Sequence, residues 1–143
     1  MSKLIVHATT LTLRVGPDWR GVLILGPSGI GKSDLALRAV QQAGCVLVAD
    51  DYTWLWDSGG HIYASAPDTI AGRMEVRGVG ITAEPARRMT RVHLAALAQT
   101  DPVERMPEHE VTPFLGIDVP TIRVNPHEAS SVTKLVGRLR TVR

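Results

Sequence analysis

Residues 26–33 read Gly-Pro-Ser-Gly-Ile-Gly-Lys-Ser, and no other stretch limits the possible folds as tightly. Gly26 and Gly31, followed by Lys32 and Ser33, match the G-x-x-x-x-G-K-[ST] loop that wraps backbone N–H groups around a phosphate. The helix that follows adds its positive N-terminal end. Lys32 can reach the outer phosphates, and the Ser33 hydroxyl can ligate Mg2+. Such a loop requires a buried strand before it and a helix after it. Val22-Leu23-Ile24-Leu25 supplies the strand. From Ser33 to Ala43, the apolar residues Leu35, Ala36, Ala39 and Val40 fall at helical spacing. Gly44 stands where a helix would stop. The expected ligand is a nucleoside triphosphate held by Gly26, Pro27, Ser28, Gly29, Ile30, Gly31, Lys32 and Ser33. Neither the base nor the phosphoryl acceptor is named by the motif.

A chain of 143 residues, 44% hydrophobic and 21% charged, suits one globular domain with a real core. The formal charge of +2 is too mild to argue for nucleic acid, and the few aromatics do not interleave with Lys or Arg. Cys45 is the one cysteine. It lies in an apolar run and is expected to be a core thiol in a reducing compartment. MSKLIVHATT holds no signal-peptide run and no segment approaches transmembrane length, so a cytoplasmic protein without membrane contact is expected.

Strands are expected at Leu4–Val6, Thr10–Val15 and Cys45–Ala49, with a turn at Gly16-Pro17-Asp18. Tyr52–Trp56 alternates, Asp57-Ser58-Gly59-Gly60 reads as a hairpin turn, and His61–Ala66 as the returning strand. Pro67–Gly72 reads as a short helix or loop. Arg91–Ala98 is apolar with no clear period. Thr100–Pro113, rich in charge and proline, reads as a loop. Val119–Val124 reads as a late strand, and Asn125-Pro126-His127-Glu128 as the start of a last helix over Ala129–Leu139. Arg138, Arg140 and Arg143 suit that helix's C-terminal end. Strands outnumber helices, so a mixed sheet is expected rather than regular βαβ alternation.

Three places outside the loop carry candidate chemistry. Asp50-Asp51 ends the strand after the loop's helix, at the edge where α/β sheets bind ligands. A carboxylate there can hold Mg2+ through water or take a proton from an attacking hydroxyl. Neighbouring strand residues point to opposite faces, so only one of the pair is expected to face the phosphate. In Met74-Glu75-Val76-Arg77-Gly78-Val79-Gly80, alternation puts Glu75 and Arg77 on one side. They could meet an ion and a phosphate, or form a cross-strand salt bridge before a bulge. His7 ends an early strand and by itself reads as structural. The other histidines show no metal-ligand spacing.

Taken in order, GPSGIGKSD, LVADD and MEVRGVGI resemble the C-terminal catalytic domain of the HPr kinase/phosphorylase family. The likeness runs from about His7 to Gly80, and more loosely to the C-terminus. The resemblance implies an α/β domain over 1–143, with a P-loop nucleotide-binding core in a mixed, β-rich sheet similar to phosphoenolpyruvate carboxykinase. It implies a bacterial protein serine kinase using ATP and Mg2+ on HPr, the small phosphocarrier of the sugar phosphotransferase system. Many members also remove that phosphate with inorganic phosphate, yielding pyrophosphate, and the assembly is typically a hexamer. By resemblance Lys32 is the phosphate-binding lysine, Ser33 and Glu75 are magnesium ligands, and His7 lines the phosphate pocket. Asp51 matches the residue that takes the acceptor serine's proton. The spacing from Ser33 is one residue longer than in the family pattern, so Asp50 stays open for that role. Glu104-Arg105-Met106 falls at a Tyr-Asp-Arg-Leu-like run, which makes Arg105 a phosphate-contacting arginine on a mobile loop. Arg77 gains a functional reading from the family signature.

The chain departs from the family at Pro27, where a carboxylate is usual. It departs again at Arg123-Val124-Asn125-Pro126-His127-Glu128, where the family has a P-V-R-P-G-R-N-like motif tied to dephosphorylation. His7 comes almost at once, as in a short form limited to the catalytic domain. The rival expectations are a small-molecule kinase, for which Thr100–Pro113 offers only Arg105 as a lid arginine, and a non-catalytic nucleotide-sensing module.

Overall fold

The computed structural model describes residues 3–67, 72–76, 78–84, 86–104 and 109–143. Its elements in chain order are β1 (Lys3–Val6), β2 (Ala8–Val15), β3 (Asp18–Leu25), α1 (Lys32–Ala43), β4 (Val46–Ala49), β5 (Thr53–Ser58) and β6 (His61–Ser65). They continue with β7 (Arg73–Val76), β8 (Gly80–Ala83), β9 (Met89–Ala98), β10 (Glu110–Phe114), β11 (Ile117–Val124) and α2 (Ser131–Thr141). Among the described residues, nine strands form one mixed sheet and β7–β8 forms a separate hairpin. Strands outnumber helices, as the sequence predicts.

The sheet turns on β9. Its second half pairs in parallel with β3 on one side and with β11 on the other. Its first residues, Met89–Arg91, pair antiparallel with β6. Flanked on both sides and covered on both faces, β9 reads as an unbroken apolar run, which is why its period is ambiguous in sequence. A register shift opposite Gly21–Val22 sends Leu94 and Ala96 into one core cluster and Val92 and Ala95 into the other. At that bulge, a Cβ on Gly21 would lie 2.5 Å from the Arg91 carbonyl oxygen, so only glycine fits.

The larger cluster packs Leu11, Val22, Ile24 and Leu94 beneath Leu35 and Ala39 of α1 and Leu135 and Leu139 of α2. The smaller packs Leu23 and Ala95 against Leu55, Ile62 and Ala64 of the β5–β6 hairpin. Each fully buried leucine contributes about 1.5–3 kcal/mol. Thr10 and Thr53, and Thr12 and Thr90, pair their hydroxyls in the interior at 2.7 and 2.8 Å, so burial leaves these oxygens partnered. Arg20 donates to the carbonyls of Leu139, Arg140 and Val142 at 3.2, 2.7 and 2.8 Å. A cation from the sheet thus caps the negative end of α2.

Three sequence expectations are corrected. Pro113 lies in β10, not in a loop; among the described residues β10 pairs only with β11, and proline is tolerated on such an edge. The last helix is displaced two residues, to Ser131–Thr141, because Glu128 and Ser131 first close a turn through Ser131 N–H to the Glu128 carbonyl. The β5–β6 turn tightens to Gly59-Gly60, with φ of 57° and 81°, the two-residue geometry that matches sheet twist. Gly44 ends α1 in the left-handed conformation, as expected. Most of Pro67–Gly72 lies outside the described residues.

Candidate active site

The C-terminal ends of β3, β9 and β11 reach the same edge of the sheet, and the glycine loop leaves from β3 there. Gly26 has φ 153°, and a Cβ on it would meet Ala98 Cβ and the Ala98 carbonyl oxygen at 3.2 Å. The first glycine of the motif therefore lets the loop lie against the end of β9. Lys32 folds back over the loop, its Nζ donating to the carbonyls of Gly26 at 2.6 Å and Pro27 at 3.0 Å. Burial lowers its pKa below the usual lysine value, and the Asp51 and Asp50 carboxylates oppose that shift. The ammonium is thus held against the loop's own carbonyls, within range of the charge on both carboxylates.

Asp50 and Asp51 lie in contrasting surroundings. Asp50 is buried, and its Oδ1 accepts from Ser33 Oγ at 2.7 Å and Thr9 Oγ1 at 3.0 Å. Its Oδ2 accepts the Glu75 backbone N–H at 3.1 Å. Asp51 is open, with 60% of its side chain exposed, and its Oδ1 lies 2.6 Å from His7 Nε2. The His7 ring lies 5.4 Å from that of Tyr52. The expectation of strand alternation at this pair is corrected here. The strand ends at Ala49, Asp51 adopts φ 70°, and Tyr52 N–H closes a turn onto the Asp50 carbonyl at 2.8 Å. Alternation stops with the strand, and the two side chains part at the turn: Asp50 meets Ser33 and Asp51 meets His7.

Glu75 arrives on the β7–β8 hairpin. Met74 is fully buried beneath α1, and this anchor brings the Glu75 backbone to Asp50 while the Glu75 side chain stays exposed. The structure therefore joins His7, Lys32, Ser33, Asp50, Asp51 and the backbone of Glu75. Arg77 and Arg105 lie outside the described residues. Among the described residues, no group of three or more His, Cys, Asp or Glu side chains could hold a metal ion alone. The Ser33–Asp50 oxygen pair instead fits Mg2+, which takes one or two protein oxygens and completes its shell with phosphate and water.

Two contributions are invisible in the sequence. Thr9 is one threonine among several in an apolar strand, and only the packing of β2 beside β4 aims it at Asp50. The turn at Asn125–His127 presses on the loop's last glycine. Gly31 has φ 109°, and a Cβ there would lie 3.3 Å from Pro126 Cβ and 3.7 Å from His127 Cε1. Arg38 of α1 ties this turn down, donating to the Pro126 carbonyl and to Ser131 Oγ while pairing with Asp34.

Residues 6–139 match the family model described as the HPr Serine kinase C-terminal domain. The chain is 36% identical over 120 residues to the HPr kinase/phosphorylase of Brevibacillus brevis, covering 79% of this chain and 37% of that protein. It is 33% identical over 129 residues to the HPr kinase/phosphorylase of Bordetella pertussis, covering 81% and 42%. It therefore spans about two fifths of the length of these curated relatives. Among solved structures, the Hpr(Ser) kinase/phosphatase from Coxiella burnetii superposes with a TM-score of 0.77 at 27% identity, covering 94% of each chain.

Proposed function

The chain belongs to the HPr serine kinase C-terminal domain family, and we propose that it is an ATP-dependent protein serine kinase acting on an HPr-type phosphocarrier. One observation carries this reading. A P-loop lysine and a serine–carboxylate pair stand beside a second, open carboxylate held by a histidine. The first pair suits a nucleotide phosphate, and the second suits an attacking hydroxyl.

In this reading residues 26–33 cradle the triphosphate, and Lys32 exchanges the Gly26 and Pro27 carbonyls for phosphate oxygens. Ser33 and Asp50 would hold Mg2+, with Glu75 beside them; when bound, the ion neutralises charge on the β- and γ-phosphates. Asp51 accepts the proton of the acceptor serine as its oxygen bonds to the γ-phosphorus and the bond to ADP breaks. His7 keeps Asp51 turned toward that hydroxyl. Arg77 and Arg105 are assigned to charge on the transferring group. Positioning and electrostatics supply most of the rate in such a transfer. The assembly proposed from the family is a homo-oligomer, a hexamer, working in the cytoplasm. No described helix is long and apolar enough to cross a membrane.

The test is intact mass spectrometry of the carrier after incubation with the protein, ATP and Mg2+. One added phosphate on a serine is the expected result. ATP consumed by small metabolites without a carrier would replace the reading with a small-molecule kinase. ATP bound without turnover would replace it with a sensing module. Adding inorganic phosphate after transfer tests the reverse reaction, which the changed 123–128 segment is expected to weaken.

A further inference from the structure

The sheet order at the site separates two flanks of the loop. β4, which delivers Asp50 and Asp51, lies on one side of β3 beyond β2; β9 and β11 lie on the other. Given the kinase reading above, on which this inference rests, the terminal phosphate points toward Asp51. The remainder of the nucleotide then leaves the loop toward the ends of β9 and β11.

What stands at those ends is a built turn. Asn125 Oδ1 accepts the His127 N–H at 3.0 Å, and Asn125 Nδ2 donates to the Thr100 carbonyl at 3.5 Å. Gln99 N–H donates to the Val124 carbonyl at 2.9 Å, joining the two strand ends. Pro126 is buried against Gly31 and its carbonyl is held by Arg38. His127 is exposed, and its ring makes no hydrogen bond among the described residues. A pinned backbone thus presents an unengaged aromatic ring beside the phosphate loop. The Lys32 and carboxylate chemistry does not use it.

We propose that the Asn125–His127 turn is the nucleoside wall of the site and that the His127 imidazole is the surface on which the base stacks. Stacking reads a π-face rather than an edge, so this wall accepts either purine.

Isothermal titration of the full chain with ADP, GDP and inorganic tripolyphosphate separates base from phosphate contacts. His127→Ala is expected to weaken ADP and GDP alike by roughly tenfold, the size of one modest stacking contact. Tripolyphosphate, which has no base, is expected to bind the variant as it binds the parent. His127→Phe is expected to restore ADP affinity. Unchanged ADP affinity in His127→Ala overturns the inference, as does an equal loss for tripolyphosphate. A parent protein that binds tripolyphosphate but not ADP overturns the wall and leaves the phosphate loop standing. A parent that binds neither overturns the kinase reading together with this one.

Discussion

The two flanks of the phosphate loop are built by different means. On the β4 flank, two neighbouring aspartates are divided by their partners: among the described residues, Asp50 is buried under three donors, and Asp51 is open with one histidine. On the β11 flank a turn is clamped by Arg38 and by contact with Gly31. The first flank fixes charge, and the second fixes shape. A carboxylate with its lone pairs occupied serves as a stationary ligand. One that is exposed and singly partnered can still exchange a proton.

The sharpest way to break this contrast is Asp51→Asn. It is expected to slow transfer to the carrier by roughly 10²–10⁴-fold, the usual weight of a general base, while nucleotide affinity stays unchanged. Transfer rate by intact mass and affinity by titration check it; a parent-like transfer rate refutes the base assignment. Asp50→Asn should behave differently. Its amide either turns its nitrogen toward the Glu75 N–H, donor against donor, or turns it toward the Ser33 and Thr9 hydroxyls, which then accept and leave their own protons without this acceptor, so unfolding stability should fall by about 1–3 kcal/mol. The requirement for Mg2+ should rise as well. Urea denaturation beside an Mg2+ titration of activity tests this, and equal stability losses for the two variants would erase the distinction.

On the other flank, Gly31→Ala places a methyl group 3.3 Å from Pro126 at φ 109°. The expected cost is about 1–3 kcal/mol, the range for a residue held in sparsely allowed backbone space. Nucleotide affinity should fall with it, while Asp51 keeps its contact with His7. The smallest effect concerns Cys45, just before the strand that leads to the aspartates. Burial pushes its thiol up to about 11 from an ordinary 9.0. The unfolded chain ionises first, so stability is full below pH 9.0 and falls as pH rises toward about 11. Denaturant midpoints taken across that window should decline in the parent and flatten in Cys45→Ala, with no difference in pH dependence near neutrality.

The loop and its flanking strand and helix were legible in sequence because their causes are local. Glycine conformations, the helix start and Gly44 at its end are all set within a few residues. Strand register beyond the loop was less legible. Pro113 reads as a breaker unless it is known to sit on an edge, and β9 has no period because both its faces are covered. Alternation does not apply at Asp50-Asp51, because the strand that leads to the pair stops at Ala49 and both aspartates lie beyond it.

The sequence alone determined that a phosphate loop is present and which residue types are near it in the chain. Tertiary structure alone decided that Thr9, Ser33 and the Glu75 backbone converge on Asp50, and that His7 meets Asp51, 44 positions away. It also set Pro126 and His127 against Gly31. The physical reason is that backbone preference acts over a few residues, whereas a carboxylate's role depends on which donors the packed sheet brings within hydrogen-bonding distance.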